Sequence, residues 1–110
     1  MKIAIPTDRG QVSAHFGHCE EFTIYDVDAN NKVNSKEVIE NPGHEPGFLP
    51  IFLSEHNVDC VIAGGMGTRA RQLFDKNNIQ TITGASGIVD EVVREYLTGQ
   101  LVTNGNFCDH

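Results

Sequence analysis

An apolar run that leads directly into a glycine-rich turn constrains this chain more than any other part of its sequence. Residues 58–63 are apolar almost without interruption, as in a strand that is covered on both faces of a sheet. Gly64, Gly65, Met66 and Gly67 follow, and residues 68–76 then repeat apolar side chains at helical spacing. A buried strand that passes through a turn into a helix indicates the α/β class.

The segments on either side extend this unit. Alternating or continuous apolar stretches predict strands, and helical spacing predicts helices, with Ser86 as the N-terminal cap of the last helix. The predicted order is β-β-β-α-β-α-β-α, a mixed sheet covered by helices, from elements at residues 2–5, 21–27, 32–40, 48–53, 58–63, 68–76, 79–83 and 86–97. Because 110 residues suit one domain, we expect residues 1–100 to form it and residues 101–110 to be a tail.

Composition and charge exclude several classes of function. A formal net charge of −7 opposes binding to nucleic acid, which depends on clustered lysine and arginine. The chain has neither the apolar stretch of a signal peptide nor one long enough to span a membrane, so we expect a cytoplasmic protein without a membrane partner. Three cysteines make an odd number at wide spacing, which predicts free thiols or metal ligands rather than disulfides.

The glycine-rich turn is a candidate anion site. Glycines let backbone N–H groups approach a ligand, the helix N-terminus adds partial positive charge, and Arg69 and Arg71 add full charges. The glycines are equally consistent with a tight turn that only permits close packing. Residues 65–70 also fit the nucleotide fingerprint G-x-G-x-x-A, but the acidic residue expected at the end of the next strand is missing.

Two short segments carry the side chains that bind soft metals. His15, His18 and Cys19 lie within five residues, and Cys108 and His110 lie at the end of the chain. Thiolate and imidazole together suit zinc, copper or iron, so a zinc site drawn from both segments is one hypothesis, and a surface loop with a frayed tail is the other. Adjacency of cysteine and histidine is not sufficient for a nucleophilic enzyme, which also needs an oriented base and an oxyanion hole.

Four separated motifs carry a family likeness. They read IAIP at residues 3–6, SAHFGHC at residues 13–19, VDCVIAGGMG at residues 58–67 and GASG at residues 84–87. In this order they resemble the dinitrogenase iron-molybdenum cofactor biosynthesis family. The resemblance implies a ribonuclease H-like fold without nuclease activity, in small proteins that carry iron-sulfur or molybdenum-containing clusters. A related group looks like a holder of a molybdenum-copper sulfide cluster.

The leading prediction is therefore a carrier and not an enzyme. It would hold an anionic iron-sulfur or molybdenum-containing cluster for a cluster-assembly or recipient protein, with a simple zinc or transition-metal module and a small Cys-His enzyme as the alternatives. The predicted cluster contacts are Gly64, Gly65, Met66, Gly67, Arg69, Gly84, Ala85 and Ser86, and the predicted metal ligands are His15, His18, Cys19, Cys108 and His110.

Overall fold

In the computed structural model, which describes residues 1–43 and 47–103, six strands form one mixed sheet and three helices cover it. The strands and helices are β1 (Lys2–Asp8), β2 (Gln11–Val12), β3 (Glu21–Val27), β4 (Val33–Glu40), α1 (Phe48–Glu55), β5 (Cys60–Ile62), α2 (Thr68–Lys76), β6 (Gln80–Ile82) and α3 (Val89–Leu97). This order confirms the predicted one, with the two-residue strand β2 added. No helix in the described residues is long and apolar enough to cross a membrane.

Strand β1 lies at the centre of the sheet, whose order is β4-β3-β1-β5-β6. It pairs antiparallel with β3 and parallel with β5, while β2 folds back onto its end. Successive side chains of a strand point to opposite faces. Ala4 accordingly packs on the face that α1 and α2 cover, and Ile3 and Ile5 pack on the face that α3 covers.

Each face of the sheet has its own hydrophobic core. The α1/α2-face core contains aromatic side chains from three elements, with Phe16 against Phe22 at 5.9 Å and against Phe74 at 5.3 Å between ring centroids. The α3-face core joins the sheet to the apolar stripe of α3 through Val89, Val92 and Val93. The helical spacing of apolar residues thus predicted the buried faces of α2 and α3 correctly.

Strand β1 is longer than predicted, because Pro6 does not end it. The carbonyl oxygen of Pro6 accepts a hydrogen bond from the Ser13 N–H at 2.8 Å, so the backbone of Pro6 faces away from β3. A proline at such a position removes no hydrogen bond from the β1-β3 ladder. Thr7 and Asp8, which were expected in a loop, therefore continue the strand to the turn at Arg9 and Gly10.

The predicted start of the last helix at Ser86 is wrong. Helix α3 begins at Val89, its N-cap is Ile88, and no side chain caps it. The residues before the helix pair instead with β2. The Val12 N–H donates to the Gly87 carbonyl oxygen at 2.9 Å, and Gln11 forms a bridge with Ile88. Ile88 is extended at this bridge, and Gly87 before it has φ 108°, so neither residue continues the helix backwards. Asp90 and Glu91 do lie in the first turn, as expected.

One polar contact links α3 to the sheet and yields a testable expectation. The hydroxyl of buried Tyr25 donates to Asp90 Oδ1 at 2.6 Å, and Lys36 Nζ lies 3.0 Å from the same carboxylate oxygen. These two donors hold the pKa of Asp90 below its ordinary value. We expect Tyr25→Phe to lower the free energy of unfolding by about 1 kcal/mol, measured by urea denaturation. In an Asp90→Ala background, which has no acceptor for the hydroxyl, the same change should have a smaller effect; an equal loss in both backgrounds would show that this hydrogen bond does not contribute to stability.

Candidate functional site

Three loops meet at one end of the sheet. We call residues 13–19 the histidine loop and residues 64–67 the glycine loop. The Gly84 N–H donates to the Gly64 carbonyl oxygen at 2.8 Å, and the Phe16 N–H donates to the Gly65 carbonyl oxygen at 3.2 Å. The glycine loop is therefore bonded on one side to the histidine loop and on the other to the loop that follows β6.

Close approach of backbones explains two of the glycines. A Cβ atom added to Gly64 would lie 2.7 Å from the Ser13 carbonyl oxygen, and one added to Gly65 would lie 2.9 Å from the Ala14 carbonyl oxygen. Non-bonded atoms do not approach so closely, so only glycine fits at either position. Gly67 differs, because a Cβ there would have no neighbour within 4 Å. The packing explanation of these glycines thus holds for Gly64 and Gly65 but not for Gly67.

A groove of about 550 Å³ lies between the histidine loop and the start of α2. Its walls are apolar apart from one imidazole, and they consist of Ala14, His15, Phe16, Gly17, Gly65, Met66, Gly67 and Ala70. Ala14 and Ala70 were not among the predicted site residues. Ala70 could have been found, because it follows Gly67 by three residues and such a pair shares one face of a helix.

The first turn of α2 gives the groove a positive end. Gly67 is the N-cap, no side chain caps the helix, and no acidic residue lies in the first turn. The first intrahelical bond runs from the Arg71 N–H to the Gly67 carbonyl oxygen at 3.1 Å, so the amides of residues 68–70 precede the helical ladder. Arg69, a predicted cluster contact, is exposed and does not line the groove, but it adds a full positive charge to this turn, where the helix dipole disfavours one. This arrangement favours an anion.

The two predicted histidine ligands differ in position. His15 is exposed and lines the groove, and its backbone N–H donates to Ser13 Oγ at 3.3 Å. His18 is also exposed but lies outside the lining, at the end of a short 3₁₀ turn, Phe16–His18. The structure therefore places one imidazole of the pair in the groove itself.

Cys19 lies in the core rather than in the groove. Only 3% of its surface is exposed, and it packs in the α1/α2-face core with Phe16 and Phe22. Burial, assisted by the carboxylate of Asp8, raises the pKa of the Cys19 thiol to about 11. A thiol must lose its proton to bind a metal, so this environment opposes ligation by Cys19. Cys60 is fully buried in the α3-face core, where it lies within the apolar run of residues 58–63.

The loop after β6 supports the glycine loop but does not line the groove. Gly84 has φ 86°, which suits glycine, and its N–H fixes Gly64. Ala85 is buried in the α3-face core, and its N–H donates to the Ala63 carbonyl oxygen at 3.1 Å. Ser86 is exposed. As contacts to a ligand, these three residues stay predictions.

The remaining predicted ligands, Cys108 and His110, lie outside the described residues. Within residues 1–43 and 47–103, no three side chains of histidine, cysteine, aspartate or glutamate are grouped so that they could hold a metal ion. Helix α3 begins beside Gly10, whose carbonyl oxygen accepts from the Val89 N–H. It ends beside Asn31, whose side-chain amide donates to the Leu97 carbonyl oxygen. It therefore carries the chain away from the end of the sheet where the three loops meet.

Fold and groove together define the class: a small α/β protein with an open groove at the positive end of a helix. Sequence comparison then gives its family. The chain belongs to the dinitrogenase iron-molybdenum cofactor family, whose family model matches residues 1–99. The resemblance seen in the four motifs is thereby confirmed.

Individual relatives match nearly the whole chain, one in sequence and two in fold. The uncharacterized protein MJ0580 of Methanocaldococcus jannaschii is 32% identical over 106 residues, which cover 92% of this chain and 89% of that protein. The crystal structure of PH0822 has a TM-score of 0.87 at 35% identity, covering 94% of this chain and 96% of that one. The apo form of the orange protein from Desulfovibrio gigas has a TM-score of 0.76 at 23% identity, covering 93% and 91%. At that identity the last similarity shows the fold alone.

Proposed function

We propose that this protein is a non-catalytic carrier of an anionic metal-sulfur cluster, of the iron-sulfur or molybdenum-containing kind, which it binds in the groove between the histidine loop and α2. The observation that carries the proposal is the N-terminus of α2, where Gly67 and Ala70 line the groove and the first turn carries Arg69 and no acidic side chain. The chain as a whole carries a net charge of −7, which is sufficient for solubility. Positive charge beside an open groove therefore indicates an anionic ligand.

The groove suits a bulky inorganic anion more than a nucleotide. Its walls offer glycine and alanine backbone, the thioether of Met66 and the imidazole of His15, which are compatible with sulfide and with soft metals. His15 is the proposed metal ligand among the described residues, with His18 close in the chain, whereas Cys19 would first have to leave the core. Cys108 and His110 stay proposed ligands that the tail would have to bring to the cluster.

The family supports this assignment, since its name refers to the iron-molybdenum cofactor. The ribonuclease H-like description of the fold belongs to this proposal, and a mixed sheet with β1 at its centre supports it. Residues 1–100 as one domain, a separate tail, a cytoplasmic location and delivery to a cluster-assembly or recipient protein belong to the same proposal.

The structure gives less support to the two alternatives. A zinc module needs three or four protein ligands, and the described residues contain no such group. A Cys-His enzyme needs a reactive thiolate, and burial keeps the Cys19 thiol protonated near neutral pH.

Anaerobic reconstitution tests the proposal directly. The protein is incubated with iron and sulfide, and separately with thiomolybdate and copper, and then freed of unbound metal. We expect stoichiometric visible absorbance in one arm, together with acid-labile sulfide, because the anion is retained at the groove. Metal retained without sulfide would favour the zinc-type module, and no retained metal in either arm would contradict the carrier.

Charge reversal at Arg69 separates binding from folding. Arg69→Glu should weaken cluster retention at least about tenfold, and yet raise the free energy of unfolding by about 1 kcal/mol, because glutamate suits the first turn of a helix. The matched control is Lys76→Glu, which makes the same charge change at the other end of α2. It should retain the cluster. Equal loss of the cluster in both variants would show that net charge causes the effect, and would contradict the groove as the binding site.

A further inference from the structure

Strand β4 is an unusually open edge of the sheet. It is the longest strand of the described chain, with eight residues, and it ends the strand order, pairing with β3 on one side only. All of its residues are exposed except Ile39, which is half-buried. Natural proteins protect such edges because unpaired N–H and C=O groups accept another strand. The opposite edge of the sheet is protected by brevity, since β6 has three residues.

We propose that β4 pairs antiparallel with β4 of a second copy of this chain, with Val38 opposite Val38 of the partner subunit. The valine is half-exposed in the single chain, at 50%. A two-fold axis perpendicular to the sheet relates the two strands. Each β4 therefore presents the same unpaired backbone edge to the other. This inference is independent of the proposed cluster carrier.

Charge selects that register. The axis keeps each face of the sheet on its own side, so residues that oppose one another must point to the same face. A register centred on Lys36 sets lysine against lysine, and one centred on Glu37 sets glutamate against glutamate. Centring on Val38 instead sets Lys36 against Glu40 of the partner subunit, twice. Opposite charges across a ladder are favourable and like charges are not.

Both members of this ion pair are available. Lys36 and Glu40 are exposed and point to the α3 face, since Lys36 lies opposite Tyr25 and contacts Asp90. The ammonium group has three donors, so its contact with Asp90 leaves donors for a second carboxylate. On the other face of the strand the same register sets Glu37 beside Ile39, which brings no like charges together.

The expected association is weak, because only residues 36–40 of each strand overlap. We expect sedimentation of the full chain, with reductant present, to give a reversible dimer with a Kd between roughly 10 µM and 1 mM. Lys36→Glu alone and Glu40→Lys alone should each weaken it at least about tenfold, since each sets like charges opposite one another twice. Both variants should keep the circular dichroism of the parent protein, because the Lys36–Asp90 pair is exposed.

Mixing the two variants gives the decisive measurement. In the mixed pair, the glutamate introduced by Lys36→Glu faces the lysine introduced by Glu40→Lys, and the two unchanged residues face one another, so both ion pairs return. The equimolar mixture should associate as strongly as the parent protein. A parent protein that sediments as a monomer at roughly millimolar concentration would overturn the proposal. A mixture no stronger than its components would equally overturn it, because the register would then be wrong.

Discussion

Replacing Gly64 with alanine should lower the free energy of unfolding by about 3 kcal/mol, the upper end of what added methyl groups cost in packed sites. The new Cβ would lie 2.7 Å from the Ser13 carbonyl oxygen and 3.3 Å from both the Ala14 Cα and the Ala85 carbonyl oxygen. These are backbone atoms on two sides, so no side-chain rotation relieves the clash. The three loops would have to separate, and the measurement is urea denaturation at neutral pH.

Gly17→Ala is the control for this change. It adds the same methyl group to a glycine of the histidine loop that has ordinary φ and no neighbour within 4 Å of the new atom. Its free energy of unfolding should stay within about 0.5 kcal/mol of the parent value. If Gly64→Ala were as harmless as Gly17→Ala, the close packing of the three loops described above would be incorrect.

The buried thiols of Cys19 and Cys60 should together contribute a loss of about 4 kcal/mol of stability between pH 9 and pH 11, beside the loss from Tyr25 and Tyr96, whose pKa values are also raised. Burial raises the pKa of both Cys19 and Cys60 from 9.0 to about 11. Below pH 9 both thiols are protonated in the folded and the unfolded chain, so their contribution is fully present. Above it the unfolded chain ionises first, which favours unfolding until pH 11 is reached. Each thiol accounts for about 2 kcal/mol.

Urea denaturation at a series of pH values, with reductant present, measures this loss. The Cys19→Ala, Cys60→Ala double variant should start from a lower stability, because two core side chains are shortened, but it should lose much less between pH 9 and pH 11. Either single variant should show an intermediate slope. An unchanged slope in the double variant would mean that groups other than these thiols cause the alkaline loss.

Much of the fold could be predicted from the sequence, because it rests on local patterns. The apolar run before Gly64 and the helical spacing around Phe74 indicate the buried strand and helix correctly. The misjudged boundaries have non-local causes: Pro6 continues a strand because Ser13 bonds to it, and Ser86 fails to cap a helix because β2 pairs with the residues that follow it. Neither contact has a signal in the segment it alters.

For the candidate site, the sequence located the loops but not the orientation of their side chains. His15 and Cys19 lie four residues apart, and yet the structure places one in the groove and the other in the core. The turn Phe16–His18 separates them, and its path depends on Phe16 packing against Phe22 and Phe74. Tertiary packing of that kind is not encoded in ligand spacing.

Arg69 has a consequence for the lifetime of the protein. With the groove empty, its charge lies in the first turn of α2, where no acidic side chain offsets the positive helix end, and a bound anion would reduce that repulsion. A ligand that binds only the folded chain adds to its stability, so the empty form would unfold more often than the loaded one. Since cellular proteases act on unfolded chains, degradation would fall mainly on the empty form. Through Arg69, occupancy of the groove would thus determine how fast the protein is degraded.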